Sequence, residues 1–183
     1  ADIKLVFNQN AELVHRAHGD DDISLNAPVI LLPLTGEYYF NERDDLWRAC
    51  EAIPLTSWGN YPIRGEFYGW DKSEENEGQI DQMFLDFSKR TQDEKILNDS
   101  EQLRALLAIN LEEYPFLVDG LLSIESLWQL ISPPKILFIM TDNEHIYLTA
   151  FHDCLWDQEH GMHFIYDKNL RLVKVGGGSD PYI

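Results

Sequence analysis

Two stretches of the chain repeat apolar residues with the period of an amphipathic helix. In the first, Ile80, Met83, Phe84 and Phe87 are spaced i, i+3, i+4 and i+7, which places all four on one helix face. The second stretch covers residues 99–114, and five of its apolar residues repeat the spacing: Leu103, Leu106, Leu107, Leu111 and Tyr114. The pattern predicts two helices that bury these faces in a core.

Capping residues and prolines predict where the helices begin and end. Asp99 and Gln102 have the spacing of an N-cap and the residue three positions after it, so we expect the second helix to begin at Asp99. A third, short helix is predicted over residues 123–131, ended by Pro133 and Pro134.

From Lys135 the apolar period changes to two, which is typical of strands. Four segments follow in quick succession, joined by short polar links: residues 135–141, 145–154, 162–167 and 170–176. Links this short permit only antiparallel neighbours, so the C-terminal part is predicted to be an antiparallel β-meander. One face of the second segment carries Ile146, Leu148, Ala150 and Cys154, as expected for a strand with one side on a core.

The residue pattern in the first third of the chain predicts short strands and turns. Residues 3–7 form one strand candidate, and residues 23–40 form a longer one interrupted by prolines and a glycine. Residues 44–53 are predicted to be a short helix, capped by Asp44 or Asp45. The fold class predicted is α+β: the C-terminal meander with two to three helices packed on one face, additional N-terminal strands, and a single domain over residues 1–183.

Charge narrows the class of partner. The chain of 183 residues has 14 Lys and Arg against 32 Asp and Glu, a net charge of −18. Phosphate binding needs clustered Lys and Arg, so nucleic acid is excluded as a direct ligand. A basic protein or a cation is favoured instead, although the same charge is also explained by solubility alone.

The apolar runs and the cysteines predict the cellular compartment of the protein. The longest apolar runs, such as residues 27–34, are far shorter than the roughly 20 residues that a membrane span needs. Cys50 and Cys154 lie far apart and form no CxxC pair, which indicates reduced thiols. We therefore expect a cytoplasmic protein with no membrane contact.

The C-terminal half, from Asp99 to the end, contains the run DCLWDQEHGMHFIY at residues 153–166 and LVKVGGGSDPYI at residues 172–183. Its most specific part is a C-x-W-D-x-E-H-G motif: Cys154, Trp156, Asp157, Glu159, His160 and Gly161. This half resembles a bacterial family of small cytosolic domains of unknown function. The resemblance implies an immunity protein or accessory partner of a polymorphic-toxin system, and it carries no catalytic residue over to this chain.

The motif region also holds the densest group of polar side chains: His152, Asp153, Asp157, Glu159, His160 and His163. Imidazole and carboxylate ligands suit Zn²⁺, Fe²⁺ or Mn²⁺, so a metal-binding protein or metal-dependent hydrolase using this group is the alternative function. The composition of Asp157, Glu159 and Gly161 is, however, typical of a hairpin turn. Cys154 beside a histidine suggests an activated thiolate, but a cysteine on the apolar face of a strand is more often an inert apolar residue.

The remaining candidate is a binding surface. Residues 71–81 contain five acids and one lysine and are predicted to form a solvated loop, next to an aromatic-rich segment. The predicted partner-binding residues are Trp58, Tyr61, Phe67, Tyr68, Trp70, Asp71, Glu74, Glu75, Glu77, Asp157 and Glu159. In the alternative interpretation, these rings pack into the core and the acids solvate its rim.

These observations favour a non-enzymatic acidic binding protein that neutralises a cognate basic toxin, such as a nuclease, by direct binding. No cofactor or metal is expected for that function, and the sequence leaves the oligomeric state open.

Overall fold

The computed structural model describes residues 3–5, 27–68, 74–109, 124–141, 145–155 and 157–177. Its strands are β1 Ile3–Leu5, β2 Pro28–Leu32, β3 Gly36–Asn41, β4 Leu46–Ala49, β5 Ile53–Leu55, β6 Tyr61–Ile63, β7 Gly65–Tyr68, β8 Ile131–Thr141, β9 Ile146–Cys154, β10 Asp157–Tyr166 and β11 Leu172–Gly177. The helices are α1 Glu74–Lys89, α2 Gln92–Ile109 and α3 Ile124–Gln129, with a 3₁₀ turn at Thr56–Trp58.

Most strands form one mixed sheet of nine, in the order β1-β2-β3-β4-β7-β8-β9-β10-β11, while β5 and β6 form a separate pair. All neighbours are antiparallel except β7 and β8, which are parallel. Parallel neighbours need a long crossover, and the chain between β7 and β8 contains the three helices. The predicted meander of β8 to β11 is confirmed, and the fold is α+β with additional N-terminal strands.

One face of the sheet carries the core. Phe67, Ile139, Leu148 and Tyr166 lie side by side across β7 to β10 and are all buried. Helix α1 adds its predicted apolar face to the same cluster, since Ile80, Met83, Phe84 and Phe87 are all buried there. The placement of every helix on one face of the meander stays a prediction, and so does the single domain.

The short helix predicted over residues 44–53 is wrong. Residues 46–49 form strand β4, which pairs with β3 through a turn in which Asp45 adopts a positive φ of 54°. Trp47 and Ala49 are buried while Leu46 and Arg48 are half-buried, so burial alternates with the period of a strand. Asp44 and Asp45 belong to this turn and do not cap a helix.

The acidic loop predicted over residues 71–81 is also wrong where the structure describes it, because Glu74 to Asp81 form the first turns of α1. Residues 71–73 lie outside the described part. Two of the helical acids, Glu77 and Asp81, are buried rather than solvated. The Asp81 carboxylate accepts hydrogen bonds from the Leu34 and Thr35 backbone N–H groups at 2.8 and 2.9 Å and from the Thr35 hydroxyl at 2.7 Å. It thereby attaches the β2–β3 turn to α1.

The ends of the other two helices differ from the prediction. Helix α2 begins at Gln92, where Thr91 and Glu94 form a reciprocal capping box, so Asp99 is not the cap. Helix α3 ends at Gln129, and the two prolines lie further on, inside β8. The pairing of β8 with β9 is irregular around Pro134, which is how a strand accommodates a residue without a backbone N–H.

Of the predicted N-terminal strands, residues 3–5 form β1, and the described part of the candidate over residues 23–40 forms β2 and β3 with a turn between them. Residues 6–7 and 23–26 lie outside the described part. In the part of the chain that the structure describes, no helix is long and apolar enough to cross a membrane.

Replacing Asp81 with Ala should lower the free energy of unfolding by about 3 kcal/mol, because two backbone N–H groups and a hydroxyl lose a buried, charged acceptor. Denaturant unfolding measures the loss. Asp86→Ala is the matched control, since Asp86 is an exposed acid of the same helix, and it should stay within about 0.5 kcal/mol of the parent. Equal losses in the two variants would contradict the role assigned to Asp81.

Candidate functional site in the motif hairpin and the polar network beneath it

The C-x-W-D-x-E-H-G motif forms the tip of the β9–β10 hairpin. Cys154 pairs with Asp157, and regular pairing resumes only at His152 and Met162, so the residues in between bulge outward. The Asp157 carboxylate accepts a hydrogen bond from the His160 backbone N–H at 3.0 Å, and the Cys154 thiol donates to the Asp157 carbonyl at 3.7 Å. The motif therefore builds a turn, which was the alternative to a metal site. Trp156 lies outside the described residues.

Gly161 is required where the bulge rejoins the strand. Its φ is 65°, and a Cβ built on it would lie 2.5 Å from the His152 carbonyl oxygen. A side chain would therefore meet both an unfavourable backbone conformation and a rigid backbone atom. The motif ends in glycine for this geometric reason.

His152 lies under the hairpin tip on the core face of the sheet. Its imidazole is buried, with its ring centroid 5.2 Å from that of Trp58 and 4.7 Å from that of Phe164. Nδ1–H donates to the Ser132 carbonyl at 2.8 Å. Burial lowers the pKa of His152 from 6.5 to about 4, so the ring is neutral at pH 7.

The histidines of the predicted metal group do not converge. His163 pairs with Phe151 and lies on the opposite face of the sheet from His152, and its ring centroid is 4.9 Å from that of Phe151. His160 is exposed and contacts Asp157. Within the described ranges, no group of three or more His, Cys, Asp or Glu side chains is placed to hold a metal ion. Geometry thus gives the metal alternative no support.

Cys154 has the surroundings of a structural thiol. Only 3% of the residue is exposed, and Sγ donates to a backbone carbonyl. The Nδ1 atoms of the two nearby histidines are directed to other partners, Ser132 for His152 and Asp157 for His160. The arrangement matches an inert buried cysteine rather than an activated nucleophile.

A cavity of about 430 Å³ lies beside the hairpin tip. Its lining combines apolar and polar side chains, including Leu130, Ile131, Ser132, Cys154, Leu155 and Gln158. Leu155 is 62% exposed at its edge, and its backbone N–H donates to the Leu130 carbonyl at 2.9 Å. The hairpin tip is thereby attached to the end of α3, with the cavity between them.

A buried lysine occupies the space next to His152. Lys95 of α2 is 6% exposed, and its Nζ lies 3.6 Å from the ring centroid of Trp58 and 4.8 Å from that of Trp128. Nζ also donates to the Ser57 carbonyl at 3.1 Å. Burial lowers the pKa of Lys95 from 10.5 to about 8. Two indole faces thus partly replace the water that the ammonium group has lost.

One helical turn further on, Asp99 ties α2 to β10. The carboxylate has no exposed surface and accepts hydrogen bonds from the Arg90 guanidinium at 2.7 Å and from the Tyr166 hydroxyl at 2.9 Å. Burial raises the pKa of Asp99, and Arg90 opposes that shift. We did not expect this network from the sequence; the signal for it was the pair of charged residues at 95 and 99, four positions apart in a helix.

The residues predicted to contact a partner are distributed unevenly. Phe67 and Glu77 are buried, so neither presents a side chain to a partner, because Phe67 belongs to the core and Glu77 faces inward from α1. Trp58 is half-buried beside Lys95, and Tyr68 is half-buried with its ring 5.5 Å from Phe138.

The rest of that set lies on the surface or outside the described structure. Tyr61, Glu75 and Glu159 are exposed, and Asp157 is half-buried at the hairpin tip. Trp70, Asp71 and the Glu74 side chain lie outside the described residues.

The chain belongs to the family described as a domain of unknown function, DUF6985, whose sequence model matches residues 39–183. The match covers the motif hairpin, the cavity and the Lys95 network, and it confirms the resemblance to a family of unknown function. Comparisons with curated proteins and with solved structures found no match.

Acid should destabilise the protein through His152. Between pH 6.5 and 4 the unfolded chain binds a proton at this position that the folded chain does not, so stability falls as the pH drops. The parent should lose about 3 kcal/mol more over this interval than His152→Phe, measured by denaturant unfolding at each pH. His145→Phe, at an exposed histidine, should keep the parent's profile. Parallel profiles for the parent and His152→Phe would contradict the assignment.

Two glycine substitutions should have opposite effects. Gly161→Ala should lower the free energy of unfolding by more than about 2 kcal/mol, because its Cβ meets the His152 carbonyl. Gly78→Ala, within α1 and with nothing within 4 Å of the new Cβ, should raise it by about 0.5 to 1 kcal/mol. Thermal unfolding of both variants checks the pair, and a neutral Gly161→Ala would refute the tight approach.

Proposed function

We propose that this chain is a non-enzymatic binding protein of the immunity type, which acts in the cytoplasm and neutralises a basic protein toxin by covering its active face. A nuclease is the favoured kind of toxin, because an enzyme that binds phosphates carries a positive active face. An acidic protein is complementary to such a face and is repelled by the nucleic acid itself.

The observation that carries the proposal is the sign of the exposed charge. Among the described residues the exposed Lys and Arg are few: Arg43, Lys89, Lys135, Lys168 and Arg171. The exposed acids outnumber them: Glu37, Glu42, Asp44, Asp45, Glu51, Glu75, Asp86, Asp93, Glu94, Glu101 and Glu159. A surface of this kind produces a negative field, which speeds encounter with a basic partner.

Folding removes several cations from the surface, as it does some of the acids. Lys95 is buried between two tryptophans, and Arg90 is engaged by Asp99 with 11% of its side chain exposed. Arg48 is paired with Asp44 and Glu66. Because these cations are buried or already paired, they do not neutralise the exposed acids of the helices.

The proposal is tested with the protein encoded by the reading frame next to this gene in the source cell. Expressed alone it should stop growth, and co-expression of this chain should restore growth. The purified pair should bind with an association rate that falls at least about tenfold as salt rises from low to physiological concentration. A harmless neighbour, or an acidic one, would overturn the proposal.

Charge variants test which part of the surface speeds the association with the toxin. Changing the exposed acids Glu75, Asp86 and Glu101 to Lys should slow association by about tenfold and leave dissociation nearly unchanged, because exposed charges act mainly on encounter. The matched control changes the same three positions to Gln or Asn and should give an intermediate rate. Unchanged rates in both sets would exclude the helical acids from steering.

A further inference from the structure

We propose that the cavity beside the hairpin tip receives one large apolar side chain of the partner, flanked on the partner's surface by Lys or Arg. The identity of the partner rests on the proposed function. The chemistry of the cavity does not, because it follows from the shape, lining and charge of this part of the chain.

The size of the cavity suits a single large side chain. Its volume is about 430 Å³, and an apolar cavity of roughly 150 Å³ is enough to bind a benzene molecule. Pockets that hold small ligands begin at roughly 300 Å³. An aromatic ring and part of its neighbouring backbone therefore fit between the hairpin tip and the end of α3.

The walls of the cavity are already in place without a partner. The Leu155 N–H bonds to the Leu130 carbonyl on one side, and the Ser132 hydroxyl donates to the Asp153 carbonyl at 3.0 Å on the other. Ile131 and Cys154, which belong to the lining, are themselves buried. A preformed pocket binds more tightly because little conformational entropy is lost on binding.

An exposed leucine marks the edge of the cavity as a contact surface. Leu155 is 62% exposed at the point where the cavity opens, so its apolar surface is in contact with water in the free protein. Covering that surface with a partner is favourable because it removes apolar surface from water. Apolar anchors of this kind, enclosed by polar neighbours, dominate binding at protein interfaces.

The surrounding charge selects a basic partner. Residues 136–167 contain no Lys or Arg, whereas Asp153, Asp157 and Glu159 lie on or beside the hairpin tip. Lys135 contacts Asp153 at 2.6 Å, but the two side chains are 57% and 40% exposed, and an ion pair in contact with water contributes little. A second copy of the chain is a poor occupant, because its net charge of −18 would repel the first.

Short peptides test the cavity without a toxin. The probe is acetyl-Arg-Trp-Arg-amide, and its controls are acetyl-Glu-Trp-Glu-amide and acetyl-Arg-Ser-Arg-amide. Titration into ¹⁵N-labelled protein should shift the amide resonances of residues 129–132 and 153–158 with the first peptide and leave them in place with the controls. Equal shifts with either control, or shifts confined to other residues, would overturn the proposal.

Variants at the edge of the cavity sharpen this test. Leu155→Ser should weaken binding of the probe by about tenfold, because it removes the apolar edge. Leu97→Ser is the matched control, since Leu97 is 79% exposed on α2 and lines no part of the cavity, and it should bind as the parent does. Gln158→Glu should tighten binding and Gln158→Lys should weaken it, because Gln158 is exposed on the lining.

The toxin and peptide experiments fail in distinguishable ways. Should the neighbouring protein prove harmless while the Arg-Trp-Arg peptide still binds at the hairpin tip, the cavity assignment stands and the immunity function falls. Should Leu155→Ser neutralise and bind the toxin as tightly as Leu97→Ser does, the cavity assignment is overturned and the immunity function stands.

Discussion

A carboxylate with no exposed surface joins the helices to the sheet of this protein. Asp99 is almost completely removed from water, and the hydrogen bonds donated by Arg90 and Tyr166 stabilise its charged form. Arg90 follows the end of α1, Asp99 lies in α2, and Tyr166 ends β10. Removing either donor would leave the buried carboxylate with only one of its two hydrogen bonds, so both bonds favour one relative position of the three elements.

The same part of the core has a second cation, Lys95, which has no direct contact with a carboxylate of the described residues. Two indole rings and the Ser57 carbonyl surround its ammonium group, and the 3₁₀ turn that supplies Ser57 and Trp58 is thereby held against α2. A chain with so few cations therefore uses two of them for internal cohesion. The excess of acid is set by the sequence, and the core leaves few of its cations at the surface.

Sequence reasoning succeeded where one physical effect decided the outcome. The spacing of Ile80, Met83, Phe84 and Phe87 predicted a buried helix face, and alternation predicted the C-terminal strands, because burial of apolar surface dominates both. It failed where a polar residue has a distant partner. Asp99 and Asp81 have the local appearance of a cap residue and a solvated acid, but their partners lie 67 and 46 residues away.

The same distinction between local and distant partners applies to the candidate site. The turn at Asp157 and Gly161 was foreseeable because its hydrogen bonds are local. His152 looked like a metal ligand because it lies close in sequence to His160 and His163. In the sheet, however, His163 is paired with Phe151 and lies on the face opposite to His152, because side chains alternate between the two faces of a strand. The cavity could not be predicted from the sequence either. Its two sides are joined by a backbone hydrogen bond between Leu155 and Leu130, which lie far apart in the chain.

His152 connects the buried network to the surface where a partner would bind. Its ring packs against Trp58, its Nδ1–H holds the Ser132 carbonyl in the cavity wall, and its own carbonyl lies against Gly161 in the hairpin tip. A protonated imidazole would carry a charge into a buried site beside the ammonium group of Lys95, and burial outweighs the opposite effect of Asp153. Burial among these rings therefore keeps His152 neutral at pH 7 while its Nδ1–H holds the Ser132 carbonyl in the cavity wall.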